Sequence, residues 1–301
     1  MFFLLLACTD SSLYTKEIHD FVEEQQELSP IDSSLLQPTK MTLYNDGIWI
    51  IDEESYLVHH YNMSQQPVES YTFSEIPKHI ASTENILIVS TETEIFQFQS
   101  ENWTSIATAD ESISHITIYK GNPAYVINRE SASVIHINSQ AIDIPFIQDS
   151  IALYDEHWYV LHRDEKTMYE LILDDDFSTY SVIEQHIFDD IPHQMFIDQD
   201  KFFITTRSFR WPYAGWIVEL EDSNGILQEH RLSETPPEPE WIGVTDNYVY
   251  WSSKQSITRV HKEGGMFEMV APQTTVGSLL IVNNQIWWTD RKGGRVFVYS
   301  E

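Results

Sequence analysis

The run Trp241-Ile242-Gly243-Val244-Thr245-Asp246-Asn247-Tyr248-Val249-Tyr250-Trp251-Ser252-Ser253-Lys254-Gln255-Ser256-Ile257-Thr258-Arg259 holds the repeating unit of this chain. It opens as an alternating segment, passes through a polar turn, continues as an unbroken apolar stretch, and resumes as a strand beyond a short polar loop. A short continuous apolar run bounded by turn residues is what a strand covered on both faces requires. Six more such runs are Ile48-Trp49-Ile50-Ile51, Ile86-Leu87-Ile88-Val89, Ala124-Tyr125-Val126-Ile127, Trp158-Tyr159-Val160-Leu161, Phe202-Phe203-Ile204-Thr205 and Ile286-Trp287-Trp288. The first residues of the seven runs are 38, 38, 34, 44, 46 and 38 apart. That is the period of a four-stranded propeller blade.

The context of each run repeats as well. Third strands are read at Ile95-Phe96-Gln97-Phe98, Val134-Ile135-His136-Ile137, Ile217-Val218-Glu219-Leu220 and Val296-Phe297-Val298-Tyr299. More polar fourth strands follow, as in Val68-Glu69-Ser70-Tyr71-Thr72-Phe73, and connections such as Glu75-Ile76-Pro77 and Asp143-Ile144-Pro145 lead into the next unit. The reading is an all-β chain, a seven-bladed β-propeller of four-stranded antiparallel blades occupying residues 40–301. Six blades with a stray hairpin is the other arrangement. The seventh unit ends at Glu301 after its third strand, so ring closure is expected from an N-terminal strand near Glu17 to Val22, which would remove exposed edges.

Lys and Arg total 17 against 47 Asp and Glu, a formal net charge of −30. So acidic a surface repels nucleic acid and anionic headgroups, which argues against a nucleic-acid partner. The chain opens Met1-Phe2-Phe3-Leu4-Leu5-Leu6-Ala7-Cys8-Thr9-Asp10-Ser11-Ser12. An apolar run, a small residue, the sole cysteine and a polar stretch together resemble the lipobox of bacterial lipoprotein signal peptides. The resemblance implies cleavage before Cys8 and lipidation of its thiol. The apolar run is shorter than usual and no Lys or Arg precedes it. Read without the resemblance, these residues are a short apolar N-terminus. The expected organisation is a signal peptide over 1–7, a lipid-anchored tether over 8–39, and the propeller. The membrane is then met only through the lipid, in the envelope of a bacterium. Thr9 in place of Asp after the cysteine resembles the outer-membrane sorting pattern of Gram-negative hosts.

Segments such as Val249 to Arg259 and Ile286-Trp287-Trp288-Thr289-Asp290 resemble blades of the YWTD and NHL propeller families, and are similar to the streptogramin lyase and gluconolactonase-like propellers. These families include receptors, scaffolds, lyases and lactonases, so the blade pattern implies a fold and not an activity.

Aligned repeats expose columns. Just after the second strand stand Glu53, Thr91, Arg129, Arg163, Arg207, Ser253 and Arg291, so four of the eight arginines share one column. Scarce positive charge gathered on one rim points to an anionic or carboxylate-rich partner. Pairing of each arginine with a neighbouring acid, such as Glu130 or Asp164, is the plainer alternative. The longest of these loops contains Arg207, Arg210, Trp211 and Tyr213, the residue types of interface hot spots and sugar-stacking platforms. His79 and His115 begin the innermost strands of consecutive units, and His193 falls there or one residue off. Converging with a carboxylate, these three would make a divalent-metal site. Asp174-Asp175-Asp176 and Asp198-Gln199-Asp200 read as solvated turns before calcium sites. The expected function is a non-catalytic scaffold binding a protein or glycan on the Arg- and aromatic-rich face. The alternative is a metal-dependent lyase or lactonase working at the channel histidines.

Overall fold

The computed structural model describes residues 28–145, 150–198, 201–208, 215–222, 227–235, 239–253, 256–272 and 274–300. Cys8, Arg210, Trp211, Tyr213 and the segment 17–22 lie outside the described residues. Seven antiparallel sheets follow one another along the chain, at 38–72, 79–108, 115–144, 150–187, 191–235, 242–272 and 276–300. The first six have four strands, each paired with its sequence neighbours, and the seventh has three. The chain is a seven-bladed β-propeller. Among the described residues no helix is long and apolar enough to cross a membrane.

The second strand of each blade is where the apolar run placed it. Gly47–Asp52 is buried at every position, and Tyr248–Ser253 and Gln285–Asp290 are buried after their first residue. Each is flanked by blades on both sides, so no face is left for polar side chains. The outermost strands Pro67–Thr72 and Asn102–Thr108 are mostly exposed and correspondingly polar. Tight hairpins join the first and second strands. Asn45 and Asp46, and Asn283 and Asn284, all take positive φ, the mirror-image turn that matches strand twist.

Seven clusters of buried apolar side chains fill the seven blade interfaces. Trp158 packs against Tyr119, Val126 and Ile135 between blades three and four. Trp251 sits with Phe203 and Ile217 between blades five and six. Trp287 closes the circle, meeting Met41, Ile48, Ile50 and Tyr61 of blade one.

The described chain before blade one completes that closing seam. Ile31 N–H donates to the Val296 carbonyl at 2.8 Å, and Val296 N–H donates to the Asp32 carbonyl at 2.9 Å. Among the described residues blade seven has three strands, and this antiparallel bridge stands on the outer side of its third. The buried Tyr61 hydroxyl of blade one donates to Asp32 Oδ2 at 2.6 Å, and Leu35 packs into the same interface. Gly294 takes φ +61, and a side chain there would strike the Leu35 carbonyl. Asp52 and Asp290, at the ends of the second strands flanking the seam, hold the chain that enters each blade. Asp52 accepts from the backbone N–H of Leu36 at 2.9 Å and Gln37 at 2.6 Å, and Asp290 from Thr275 and Gly293, both at 3.2 Å. Burial opposes ionisation of Asp52, but the His59 ring and these N–H donors outweigh it and hold the carboxyl well below the usual range.

Candidate binding rim

Antiparallel pairing puts the end of every second strand beside the start of the innermost one. Pro38 pairs with Asp52, His79 with Ser90, Ile191 with Arg207 and Val276 with Asp290. The loops after the second strands and the connections between blades therefore share one rim. Contacts across it agree: Lys78, entering blade two, lies 3.4 Å from Glu53 in the loop of blade one. Arg129 donates from Nε and Nη2 to Glu111, on the connection into blade three, at 3.1 and 2.9 Å.

The rim arginines divide by partner. Arg129 is ion-paired with Glu111 and lies 4.0 Å from Asp143, so its acids come from the neighbouring connection and its own fourth strand, not from Glu130. Arg163 reaches His193 Nε2 at 3.4 Å, tying blade four to blade five. Arg291 donates from Nε and Nη2 to the Gln37 side-chain oxygen, both at 2.9 Å, with that amide turned to accept them. Away from the loops after the second strands, Lys120, Lys201, Arg231, Arg259, Lys262 and Arg295 each meet a carboxylate. Among the described residues, Lys40, Arg207, Arg291 and Lys292 have none within ion-pair distance, and all four belong to the rim. In a chain with nearly three acids per cation, unpaired cations confined to one face are a marked asymmetry.

The histidines split into two sectors. His79 begins its strand and its Nε2 meets the Ile113 carbonyl at 3.2 Å, which fixes Nε2–H as the donor of the neutral ring. Burial, then Lys40, lower its pKa to about 4. Burial, then His79 and Lys40, lower that of His115 to about 3. His193 occupies a bulge between Pro192 and Gln194, and burial followed by Arg163 and Arg207 brings it to about 4. Its neighbours are thus guanidinium groups and not the other two rings. Among the described residues no group of three or more His, Cys, Asp or Glu could hold a metal ion. Neutral imidazoles surrounded by cations suit an anion, whereas a divalent cation there would face like charge.

Lys40 was missed in the sequence because the aligned column passes through Met41. A register shift between Pro38 and Lys40 moves this side chain one residue from where a gap-free alignment looks. Its Nζ stands 4.2 Å from the Trp241 ring of blade six, in cation–π range. Burial, and next Arg291, lower its pKa, with Glu53 opposing. The two aspartate runs have structural partners. Asp174 caps a turn through Ser178 and Thr179, and Asp198 lies 2.8 Å from Lys262.

No family model and no curated protein matches the chain. Solved structures do share its fold. A streptogramin B lyase structure has a TM-score of 0.69 at 11% identity, over 90% of this chain and 96% of that one. YCF48 from Cyanidioschyzon merolae has 0.67 at 7% identity, over 91% and 98%. BamB from Moraxella catarrhalis has 0.60 at 10% identity, over 92% and 99%. At such identities the likeness is one of architecture: the chain is similar to these propellers in fold, and its chemistry has to be read from its own rim.

Proposed function

We propose that this chain is a lipid-anchored, extracytoplasmic β-propeller that acts as a non-catalytic scaffold, capturing an anionic protein or glycan on its rim. One observation carries the reading. The cations without a carboxylate partner among the described residues lie together on one face of a chain with net charge −30. At physiological ionic strength the overall repulsion is screened beyond about 8 Å, while contacts made directly at Arg207 and Arg291 are not. The loop carrying Arg210, Trp211 and Tyr213 continues from Arg207 and would supply stacking surface to the same ligand.

The direction of the chain at the seam supports the tethered arrangement. Leu28 packs with the cluster that includes Tyr299, whereas Asp32 pairs with Val296, nearer the rim end of that strand. From Leu28 onward the chain therefore climbs toward the rim, so the described chain enters the ring from the side opposite that rim. The reading rests on the cations because, among the described residues, His193 stands beside Arg163 in a different sector from His79 and His115.

Replacing Arg207, Arg210 and Trp211 together should abolish capture of an envelope partner in a pull-down while leaving thermal stability unchanged. Capture that survives the triple change refutes the rim assignment. Lipidation is read separately, from the mass of the membrane-extracted chain and from release of Cys8→Ser into the soluble fraction; an unlipidated, soluble wild type refutes the anchor.

A further inference from the structure

Among the described cations Lys40 has an unusual placement. It starts in blade one and reaches across the innermost strand of blade seven to the Trp241 ring of blade six. Gly277 lets the innermost strands of blades seven and one approach closely beside it; a Cβ there would strike the Pro38 carbonyl. The charge of Lys40 is felt by His79 of blade two and His115 of blade three, and it is itself opposed by Arg291 of blade seven. The Lys40 ammonium thus meets a ring two blades away and adds to the positive field at the His79 and His115 strand starts. Its near acid, Glu53, already holds Lys78 at 3.4 Å. Lys40, His79, His115 and Trp241 are all half-buried and keep partial solvent contact.

We propose that this mouth is a binding site for an organic carboxylate, with Lys40 and Arg291 as the cations, the His115 imidazole as a neutral donor and the Trp241 ring as an apolar wall. The inference deepens the rim reading and rests on it, naming the chemical group that the centre of the rim would take. Arg291 spends Nε and Nη2 on Gln37, which leaves Nη1 to face a ligand. The tautomer of His79 is committed to Ile113, so His115 is the ring left to donate. An anion here would compensate the unfavourable desolvation of Lys40, which no carboxylate among the described residues does within ion-pair distance. An aromatic wall beside the ammonium favours a carboxylate carried on a hydrocarbon or peptide body over bare phosphate. Two sources share that chemistry, a free dicarboxylate and the C-terminus of an acidic partner.

The test is calorimetric titration of the full chain with succinate, with a short peptide bearing a free C-terminal carboxylate, with its amidated form, and with inorganic phosphate. Succinate or the free-acid peptide should bind, the stronger of the two identifying the source, and both the amide and phosphate should bind at least tenfold more weakly. Lys40→Met keeps the hydrocarbon stem and should weaken binding at least tenfold with an unchanged melting temperature. Arg291→Gln should do the same if Lys40→Met fails to fold. Arg231→Gln, away from the rim and ion-paired with Asp189, should stay within twofold of wild type. In wild type, succinate should move the titration of the Lys40 13Cε resonance to higher pH. Equal binding by Lys40→Met, or no carboxylate binding by wild type, overturns the proposal. If rim variants still lose the envelope partner in that case, the scaffold reading stands without it.

Discussion

Replacing Tyr61 with Phe removes a single hydroxyl from the seam that closes the ring. The aromatic ring stays, packed in the interface between blades seven and one, where Tyr61 is 1% exposed. What is lost is one 2.6 Å hydrogen bond to the Asp32 carboxylate. Hydrogen bonds to charged groups contribute about 1.5–3 kcal/mol. The low end applies, because Asp32 is half-buried and keeps Ser34 N–H and Oγ, each at 2.7 Å. In a domain of this size about 1.5 kcal/mol corresponds to roughly 3–5 °C in Tm. The effect has a pH signature. Burial raises the Asp32 pKa, but hydrogen bonds from Tyr61 and Ser34 outweigh it, so the folded value lies below the ordinary 3.8. A depressed carboxyl contributes stability above its unfolded pKa and loses it as pH falls through the folded value. The Tyr61→Phe deficit should therefore be full at neutral pH and shrink below about pH 4. Equilibrium denaturation followed by tryptophan fluorescence reads both. A neutral-pH deficit below about 0.3 kcal/mol, or one that does not shrink in acid, would refute a seam latched by Asp32.

Other outcomes follow from the same geometry. Gly294→Ala should destabilise by about 1–3 kcal/mol in chemical denaturation, since it adds a positive-φ side chain against the Leu35 carbonyl; an unchanged midpoint would contradict the packing of the seam. His79 and His115, with folded values of about 4 and 3, favour the neutral form, so unfolding takes up protons below the unfolded value of 6.5. Their contribution is complete above pH 6.5 and declines as pH falls toward 4, and the His79→Gln/His115→Gln variant should lose stability less steeply than wild type across that window. Parallel pH profiles would place both rings in water.

Much of the fold was legible because blade packing imposes it on short stretches. The run Ile48 to Ile51 became Gly47–Asp52 and Phe202 to Thr205 became Lys201–Arg207, differences of one or two residues at strand ends. Turn chemistry was equally local, with Asn45-Asp46 and Asn283-Asn284 marking hairpins of positive φ. The ring seam was less so. Closure involves Ile31 and Asp32, a two-residue bridge too short to have a periodic signature. At the site, type and column were readable but partnership was not. Arg129 finds its acids on other elements, Arg163 lies against a histidine of the next blade, and His193 stands on blade five beside that arginine, apart from His79 and His115 on blades two and three. These are relations between blades, which a column of aligned residues does not contain. Lys40 was lost to the register shift beside it.

The most direct test of the rim as an anion-capturing face is fluorescence anisotropy with a labelled glutamate-rich peptide and its lysine counterpart, at fixed physiological ionic strength. The protein is compared with Arg207→Glu/Arg291→Glu and with Arg129→Glu. The account predicts that the wild type binds the acidic peptide, that reversal of the two unpaired arginines abolishes binding, and that reversal of the ion-paired Arg129 costs less than about threefold. Binding of the lysine peptide alone, or equal losses from all three positions, would contradict it.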